Sequence, residues 1–390
     1  MKILLLIPIL IILFNIKTFA LPSYSLLSGN SCINCHVNYQ GGSLRNELGI
    51  YYKKNISIIP LLDEVINDIT NPIYKYHSFL DGKVLYGFDF RYQSARPATS
   101  ELLKRRNFVM QASPYISLSP MEWLKISGSY NFAVTKFPSQ SDWSAYIQIQ
   151  PSYKYPILQI GYFQPSIGLK YDDHTNFNQQ IASTKLGMTQ ILAPDYSEYG
   201  MELYYQMFRW LNVTTGLFTN RNLSKIKYLD DKNDLKSLVD DNSISYIFKI
   251  EITPRFLDNL INTDIGASIY YNNKNNFNIN NFYIGLGITD YLSLISQYTI
   301  TDNKNTWLSN NISIGLTYQV LESLLLHARF EKASTDDKIK SEKYSINQVI
   351  IGGKVFILPG IILIPEYRIF DTEYYSSYAA QYSLQLHVFY

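Results

Sequence analysis

Two cysteines and a histidine near the start of the chain are the residues best suited to carry chemistry. Cys32, Cys35 and His36 form a Cys-x-x-Cys-His pattern, and the chain has no other cysteine. This spacing attaches c-type haem, because two thiols reach the vinyl groups on one porphyrin edge while the next imidazole meets the iron. The motif therefore predicts one covalently bound haem c, with the cysteines as thioether anchors and His36 as the proximal ligand.

A redox-active or accidental disulfide and half of a zinc site are the alternative explanations of the cysteine pair. A zinc site needs two more ligands nearby, and the sequence around the pair supplies none. A thioredoxin-like motif needs a βαβ context, which the surrounding sequence does not indicate.

Further residues are candidates for contacts with the haem. No methionine lies between the motif and Met110, so His77, the nearest histidine, is the candidate distal ligand of the iron. The alternatives are His174 in the longest loop and His327 and His387, which fall on the lumen-facing register of their strands. The segment "GGSLRNELG" (41–49) follows the motif directly. Its glycines allow a close approach of the backbone to the porphyrin, and Arg45 has the donors to pair with a propionate.

The first twenty residues have the plan of a secretory signal peptide. One lysine precedes an apolar stretch, and small residues stand before a plausible cleavage point after Ala20. A membrane anchor is the alternative, but the apolar core is short for a span of ~20 residues. We expect residues 1–20 to be removed after export.

The composition is typical of an outer-membrane barrel. The chain of 390 residues has 34 tyrosines, 15% aromatic residues, only 17% charged residues and a net charge of +2. Aromatic enrichment with low charge fits a wall that alternates between lipid and lumen. The near-neutral charge gives no basic field for nucleic acid, so we expect no nucleic-acid partner.

Strict alternation of apolar and polar residues begins near residue 83 and continues to the C-terminus. It is clearest in the stretches "VLYGFDFRYQ" (84–93), "NISIGLTYQV" (311–320) and "YSLQLHVFY" (382–390). Seven short turns and eight longer loops separate such stretches, and the loops include 273–279, 301–307, 333–345 and 371–378. The pattern predicts an all-β fold: an antiparallel outer-membrane β-barrel of about sixteen strands over residues 81–390, preceded by a small c-type haem segment over residues 21–80. A soluble β-sandwich or propeller is the alternative.

The longest loop carries a cluster of polar residues that could act inside the barrel. Asp172, Asp173 and His174 lie together in it, and their oxygen and imidazole ligands suit a divalent cation. The third loop of a barrel of this size is also a candidate to fold inward and narrow the lumen. Solvated loop carboxylates are the plainer interpretation.

A signal peptide, one Cys-x-x-Cys-His motif at Cys32, Cys35 and His36, and a barrel of about sixteen strands resemble the fused monohaem cytochrome–porins of the outer membrane. The resemblance implies an electron-transfer protein of the oxidoreductase type, whose best-known relatives oxidise extracellular Fe(II). It also implies a bacterial outer-membrane location, with the haem segment entering from the periplasmic side.

A hydrocarbon layer of ~30 Å separates an outside donor from a haem on the periplasmic face, so a haem that serves both sides must sit inside the barrel. We expect a conduit between an extracellular donor such as Fe(II) and a periplasmic electron-transfer cytochrome, with outer-membrane lipid around the wall. Two alternatives stay open: a diffusion porin with a periplasm-facing cytochrome segment for local electron exchange or sensing, and a plain porin with an accidental motif.

Overall fold

A computed structural model describes residues 22–42, 44–46, 48–49, 56–58, 78–97, 106–133, 139–170, 173, 175–184, 187–229, 235–304, 306–372 and 379–390. Within these ranges, sixteen antiparallel strands form a barrel that closes where the first barrel strand pairs with the last. The predicted all-β fold and strand number are confirmed.

The barrel strands are β2 (Val84–Pro97), β3 (Arg106–Met121), β4 (Leu124–Tyr130), β5 (Trp143–Ile149), β6 (Ile157–Phe163), β9 (Glu198–Phe208), β10 (Leu211–Phe218), β13 (Ser245–Ile252), β15 (Ile261–Asn272), β16 (Phe277–Ile288), β17 (Leu292–Asn303), β18 (Trp307–Leu321), β19 (Leu324–Asp337), β20 (Glu342–Leu358), β21 (Ile361–Thr372) and β22 (Ala379–Phe389).

Shorter elements lie between and before these strands. Six are short strands: β1 (Ser78–Phe79), β7 (Gln180–Thr184), β8 (Gly187–Gln190), β11 (Lys227–Leu229), β12 (Leu235–Ser237) and β14 (Arg255–Phe256). Two are helices, α1 (Pro22–Ser28) and α2 (Cys32–Cys35), and two are single 3₁₀ turns, Phe177–Gln179 and Leu223–Lys225. Among the described residues no helix is long and apolar enough to cross a membrane.

The strands turn an apolar face outward and a polar face inward, the reverse of a soluble protein. In β16 the outward side chains are Phe282, Ile284, Leu286 and Ile288, all exposed, whereas Asn281 and Tyr283 are buried on the lumen side. An outward apolar surface flanked by aromatic residues is the arrangement that lipid requires.

The two ends of the barrel differ in their connections. Seven short turns, including 122–123, 209–210, 322–323 and 359–360, lie at the end where β2 starts and β22 finishes, which we call the short-turn end. The opposite, long-loop end carries 131–142, 164–197 and 219–244. Exposed aromatic residues crowd the short-turn end, as expected for the belt at a membrane interface: Trp123, Tyr153, Tyr155, Phe208, Trp210 and Tyr291.

Several connections at the long-loop end are shorter than the sequence predicts. The strands continue through Asn272, Asn303 and Asp337, and the next strands begin at Phe277, Trp307 and Glu342. The prediction of longer loops over 301–307 and 333–345 was wrong because polar residues there pair across strands, as Asp337 does with Glu342.

The N-terminal segment lies inside the barrel at the short-turn end. The side chain and backbone of Leu26 in α1 occupy the space left by Gly285 and Gly287, and a Cβ at Gly287 would lie 2.5 Å from the Leu26 carbonyl oxygen. The side-chain amide of Asn262 donates to that same oxygen at 2.7 Å. The wall therefore has a seat shaped for α1.

A second contact holds the segment against the wall at β19 and β20. Ile56 packs with Tyr24, Leu325 and Phe356 in one buried apolar cluster, and the Ile58 amide donates to the Phe356 carbonyl at 2.8 Å. The described part of residues 21–80 is thus integrated with the barrel rather than packed as a separate unit.

The contribution of Asp290, a residue next to α1, to the stability of the protein depends on pH. Asp290 lies in the turn 289–291 with φ of 64°, and its amide donates to the Leu27 carbonyl at 2.9 Å. Burial and, secondarily, the nearby charge of Glu322 raise the pKa of Asp290 to about 7. The folded state therefore holds this proton more tightly than the unfolded chain does, so the contribution of Asp290 to stability falls as pH rises from about 4 to about 7.

We predict that Asp290→Asn stabilises the protein more at pH 8 than at pH 5, because the amide removes a carboxylate that is unfavourable only when ionised. Urea unfolding in lipid vesicles at the two pH values measures the difference. Asp258→Asn is the matched control, since Asp258 is an exposed turn residue with a similar φ of 54°. An equal shift at both pH values for Asp290→Asn would contradict the prediction.

Candidate functional site

The Cys-x-x-Cys-His motif forms one helical turn inside the barrel. The turn α2 spans Cys32–Cys35 and ends at His36, whose amide donates to the Cys32 carbonyl at 3.0 Å. Positions three apart lie on one side of a helix, so both cysteine side chains start from the same side. Both thiols are free, and His36 and Cys35 are only 2% and 4% exposed.

Two consecutive glycines fold the chain back against this turn. Gly41 and Gly42 have φ of 83° and 74°, a region that favours glycine. A Cβ at Gly41 would lie 3.2 Å from the Cys32 Cβ and 3.4 Å from its sulfur. The chain then passes the motif again, and Arg45 forms an isolated antiparallel bridge with His36. The motif is therefore held by contacts with the segment that follows it, in addition to its contacts with the wall.

The location of Cys32 is fixed by its neighbours on the wall. It lines a cavity together with Lys249, Glu251 and Asp264. Asp264 is the fourth residue of β15, so this level lies roughly 10 Å from the short-turn end of that strand at ~3.3 Å per residue. Burial, followed by the charges of Glu251 and Asp264, raises the pKa of the Cys32 thiol to about 12.

One buried carboxylate joins the segment, the wall and the longest loop. Tyr39 stacks on Tyr204 with ring centroids 4.6 Å apart and donates its hydroxyl hydrogen to Glu202. Glu202 also accepts from the Ser166 amide at 2.8 Å and from its hydroxyl at 2.7 Å. Burial and the Glu202 charge raise the pKa of Tyr39 well above its ordinary value, so the phenol stays a donor.

Arg45 lies beside the motif, and its predicted contact with a haem propionate stays a prediction. Its guanidinium is 4.1 Å from the centre of the Phe389 ring. Burial raises the pKa of Cys35 although the Arg45 charge opposes the shift. His77, the candidate distal ligand, lies outside the described residues, so its role stays a prediction.

The longest loop, which is the third loop of the barrel, folds into the lumen. The side-chain amide of Asn311 donates to the Phe177 carbonyl at 2.5 Å, and the Gly168 amide donates to the Ser268 hydroxyl at 2.8 Å. Gln40 of the N-terminal segment donates to the Gln164 carbonyl at 3.2 Å. Loop and segment therefore meet within the barrel and divide the lumen into separate cavities.

Of the predicted cation cluster, only Asp173 is described; Asp172 and His174 lie outside the described residues. Asp173 pairs with Arg329 at 2.7 Å. Burial raises the pKa of its carboxyl, but Arg329 and Arg368 more than offset this and hold it well below its usual range. The described part of the chain contains no group of three or more His, Cys, Asp or Glu able to hold a metal ion.

Charged residues on the lumen-facing register form ion pairs within single strands. Arg91 contacts Asp89 at 3.1 Å in β2, and the Arg368 Nε contacts Glu366 at 3.1 Å in β21. Sequence reasoning missed the role of Glu202, although its alternation with Met201 and Leu203 marks it as lumen-facing.

The described residues fit a c-type haem in their donor chemistry. Two free thiols start from one side of a helical turn, and a buried imidazole follows at once, which is the set that thioether attachment and iron ligation need. Nothing else in the described lumen brings two thiols and a histidine together.

No protein-family model matches the chain, and no curated protein sequence matches it. Solved structures of outer-membrane porins resemble it in fold. OprB of Pseudomonas putida superimposes with a TM-score of 0.58 and 10% identity, covering 80% of this chain and 95% of its own. OmpF of Salmonella typhi, in complex with daunomycin, gives 0.55 and 11% identity over 80% and 99%. The channel DcaP of Acinetobacter baumannii gives 0.53 and 11% over 79% and 97%. The barrel has the fold of a porin.

We predict that Tyr39→Phe lowers the free energy of unfolding by about 1–3 kcal/mol, because Glu202 loses a donor in a buried site. Urea unfolding in lipid vesicles measures the change. Tyr153→Phe removes a hydroxyl from a turn residue that is 84% exposed and should change stability by less than about 0.5 kcal/mol. Equal effects of the two substitutions would contradict the role of the Tyr39–Glu202 contact.

Proposed function

We propose that this protein is an outer-membrane electron conduit that passes electrons between an extracellular donor and a periplasmic cytochrome through one haem c. The observation that carries the proposal is the location of the Cys-x-x-Cys-His turn within the lumen. Cys32 lines a cavity with wall residues Glu251 and Asp264 and with Gly168 of the inward loop. A haem attached there would be surrounded by the barrel instead of resting outside it.

The chain's own residues would divide the work at this site. Cys32 and Cys35 would anchor the macrocycle, and His36 would ligate the iron from a buried position. Bound haem supplies a one-electron redox centre. Tyr39 and Glu202 hold the segment on the wall, and the inward loop covers the cavity from the long-loop side.

The proposed orientation places the short turns, the start of the first barrel strand and the end of the last barrel strand in the periplasm, as in bacterial outer-membrane barrels. A periplasmic cytochrome would then approach the end where α1 is seated. A donor such as Fe(II) would approach through the long-loop end, where the inward loop contacts the segment through Gln40 and Gln164. Outer-membrane lipid would surround the apolar outer face.

A diffusion porin with a cytochrome segment for local electron exchange is the second candidate, and one observation favours it. A separate cavity along the wall is lined largely by hydroxyl and amide groups, including Gln111, Ser113, Ser127 and Asn131. Such a lining suits a small neutral hydrophilic solute. The same cavity has a volume of about 70 Å³, and Asn38 of the N-terminal segment also lines it.

Vesicles that hold the haem-matured protein in one orientation test the proposal. Fe(II) is added only to the face that carries the long loops, and the visible spectrum is recorded while the membrane excludes Fe(II). We predict that a sharp reduced α-band appears in the wild type and that His36→Ala loses it, because the iron loses its proximal ligand. Mobility on unheated gels equal to that of the wild type would show that the His36→Ala barrel is still folded.

A haem that stays oxidised under these conditions, yet is reduced when reductant reaches the short-turn face, would favour the second candidate. Chain that carries no covalent haem after expression with a cytochrome c maturation system would contradict both functions.

A further inference from the structure

The lumen contains a further cavity, between α1 and the wall strands β2 and β17–β22, that the conduit does not use. The cavity has a volume of about 160 Å³ and lies between Ser23 of the N-terminal segment and the lumen-facing residues His327, Lys354 and His387. It is larger than the cavity that Cys32 lines, which measures about 60 Å³.

Every carboxylate at this cavity already has a cationic partner. Asp89 pairs with Arg91 at 3.1 Å, and Glu366 with Arg368. Arg329 is shared by two acids, Asp173 at 2.7 Å and Glu331 at 3.1 Å. The two imidazoles are also engaged, His327 with Glu366 at 3.1 Å and His387 with Asp89 at 3.2 Å. Among the described residues, each carboxylate at this cavity is therefore already in contact with an arginine.

Lys354 is different from these arginines. Among the described residues it forms no hydrogen bond and no ion pair, and its ammonium lies 5.5 Å from the centre of the Tyr24 ring of α1. It is partly buried on the lumen side and lines the cavity. A partly buried ammonium that no carboxylate contacts directly can donate its hydrogens to the carboxylate of a ligand in the cavity.

The remainder of the lining fits a small organic acid. Ile295 and Ile364 present apolar surface to the cavity, and Ser23 adds a hydroxyl. A short aliphatic chain could contact the isoleucines while its carboxylate meets Lys354. We propose that this cavity is a carboxylate-binding site in which Lys354 receives the carboxylate between α1 and the wall.

Two sources could supply that carboxylate. One is a small free acid in the lumen, and the other is a propionate of a haem held by the neighbouring motif. The motif is close, because Phe389 contacts both the guanidinium of Arg45 and, at 4.9 Å between ring centres, His387 of the cavity. Protein side chains alone line the cavity, so a free acid could bind there whether or not haem is attached.

The test uses ¹³C-acetate as the probe and the full-length protein in detergent, prepared both without haem and after haem maturation. Line broadening of the acetate signal is titrated against wild type, Lys354→Met and Lys354→Arg. Lys343→Met is the matched control, because Lys343 lies in the same strand with a side chain that is 79% exposed. Methylammonium of similar size serves as the charge control.

We expect saturable acetate binding to haem-free wild type that Lys354→Met weakens at least tenfold, whereas Lys354→Arg and Lys343→Met retain it. Methylammonium should show no saturable binding. If acetate also binds the haem-loaded protein, the ligand is a free acid. If haem excludes acetate and Lys354→Met moves the haem midpoint potential to a more negative value, the ligand is a propionate, because removal of a nearby cation favours the oxidised iron.

Absence of saturable acetate binding to folded haem-free wild type, or binding that Lys354→Met leaves unchanged, would overturn the proposal. Mobility on unheated gels shows whether each variant is folded, and Lys354→Arg keeps the test decisive if the methionine variant fails to fold. Protein that never acquires haem would refute the conduit and leave this test intact.

Discussion

The contact between the N-terminal segment and the lumen wall is the interaction on which the rest of the structure depends. A sixteen-stranded barrel encloses a lumen wide enough for water, and this chain fills much of it with its own backbone. The Gly285–Gly287 face receives α1, and Glu202 ties Tyr39 to Ser166 of the inward loop. Without these contacts the Cys-x-x-Cys-His turn would have no fixed position relative to the membrane.

The polar character of the lumen explains how such a segment can be held there. A short segment has too little apolar surface for a core of its own, so its buried polar groups need partners from elsewhere. The wall supplies them at several levels, as with Asn262 to the Leu26 carbonyl and Gln40 to the loop carbonyl of Gln164. Three cavities around the segment differ in the side chains that line them. Cys32 of the motif lines one of these cavities, and Lys354 lines another.

The sequence was sufficient to predict the barrel and to identify the motif, but it did not show which wall residues the motif and its segment contact. Period-two alternation identified the strands, because the face that each side chain takes follows from its own strand. The loops at 301–307 and 333–345 were overestimated, since polar residues at strand ends look like loop residues until their cross-strand partners are known. Glu202 and Lys354 escaped notice for a similar reason: their importance comes from residues more than 150 positions away, Tyr39 in one case and Tyr24 in the other.

An experimental structure of the protein matured with haem, solved by electron cryo-microscopy in a lipid disc, would test the central claim most directly. The account predicts one porphyrin enclosed by the barrel wall, joined to Cys32 and Cys35 and ligated by His36, at the level of Glu251 and Asp264. A porphyrin outside the barrel beyond the short turns, with the lumen open from end to end, would contradict it.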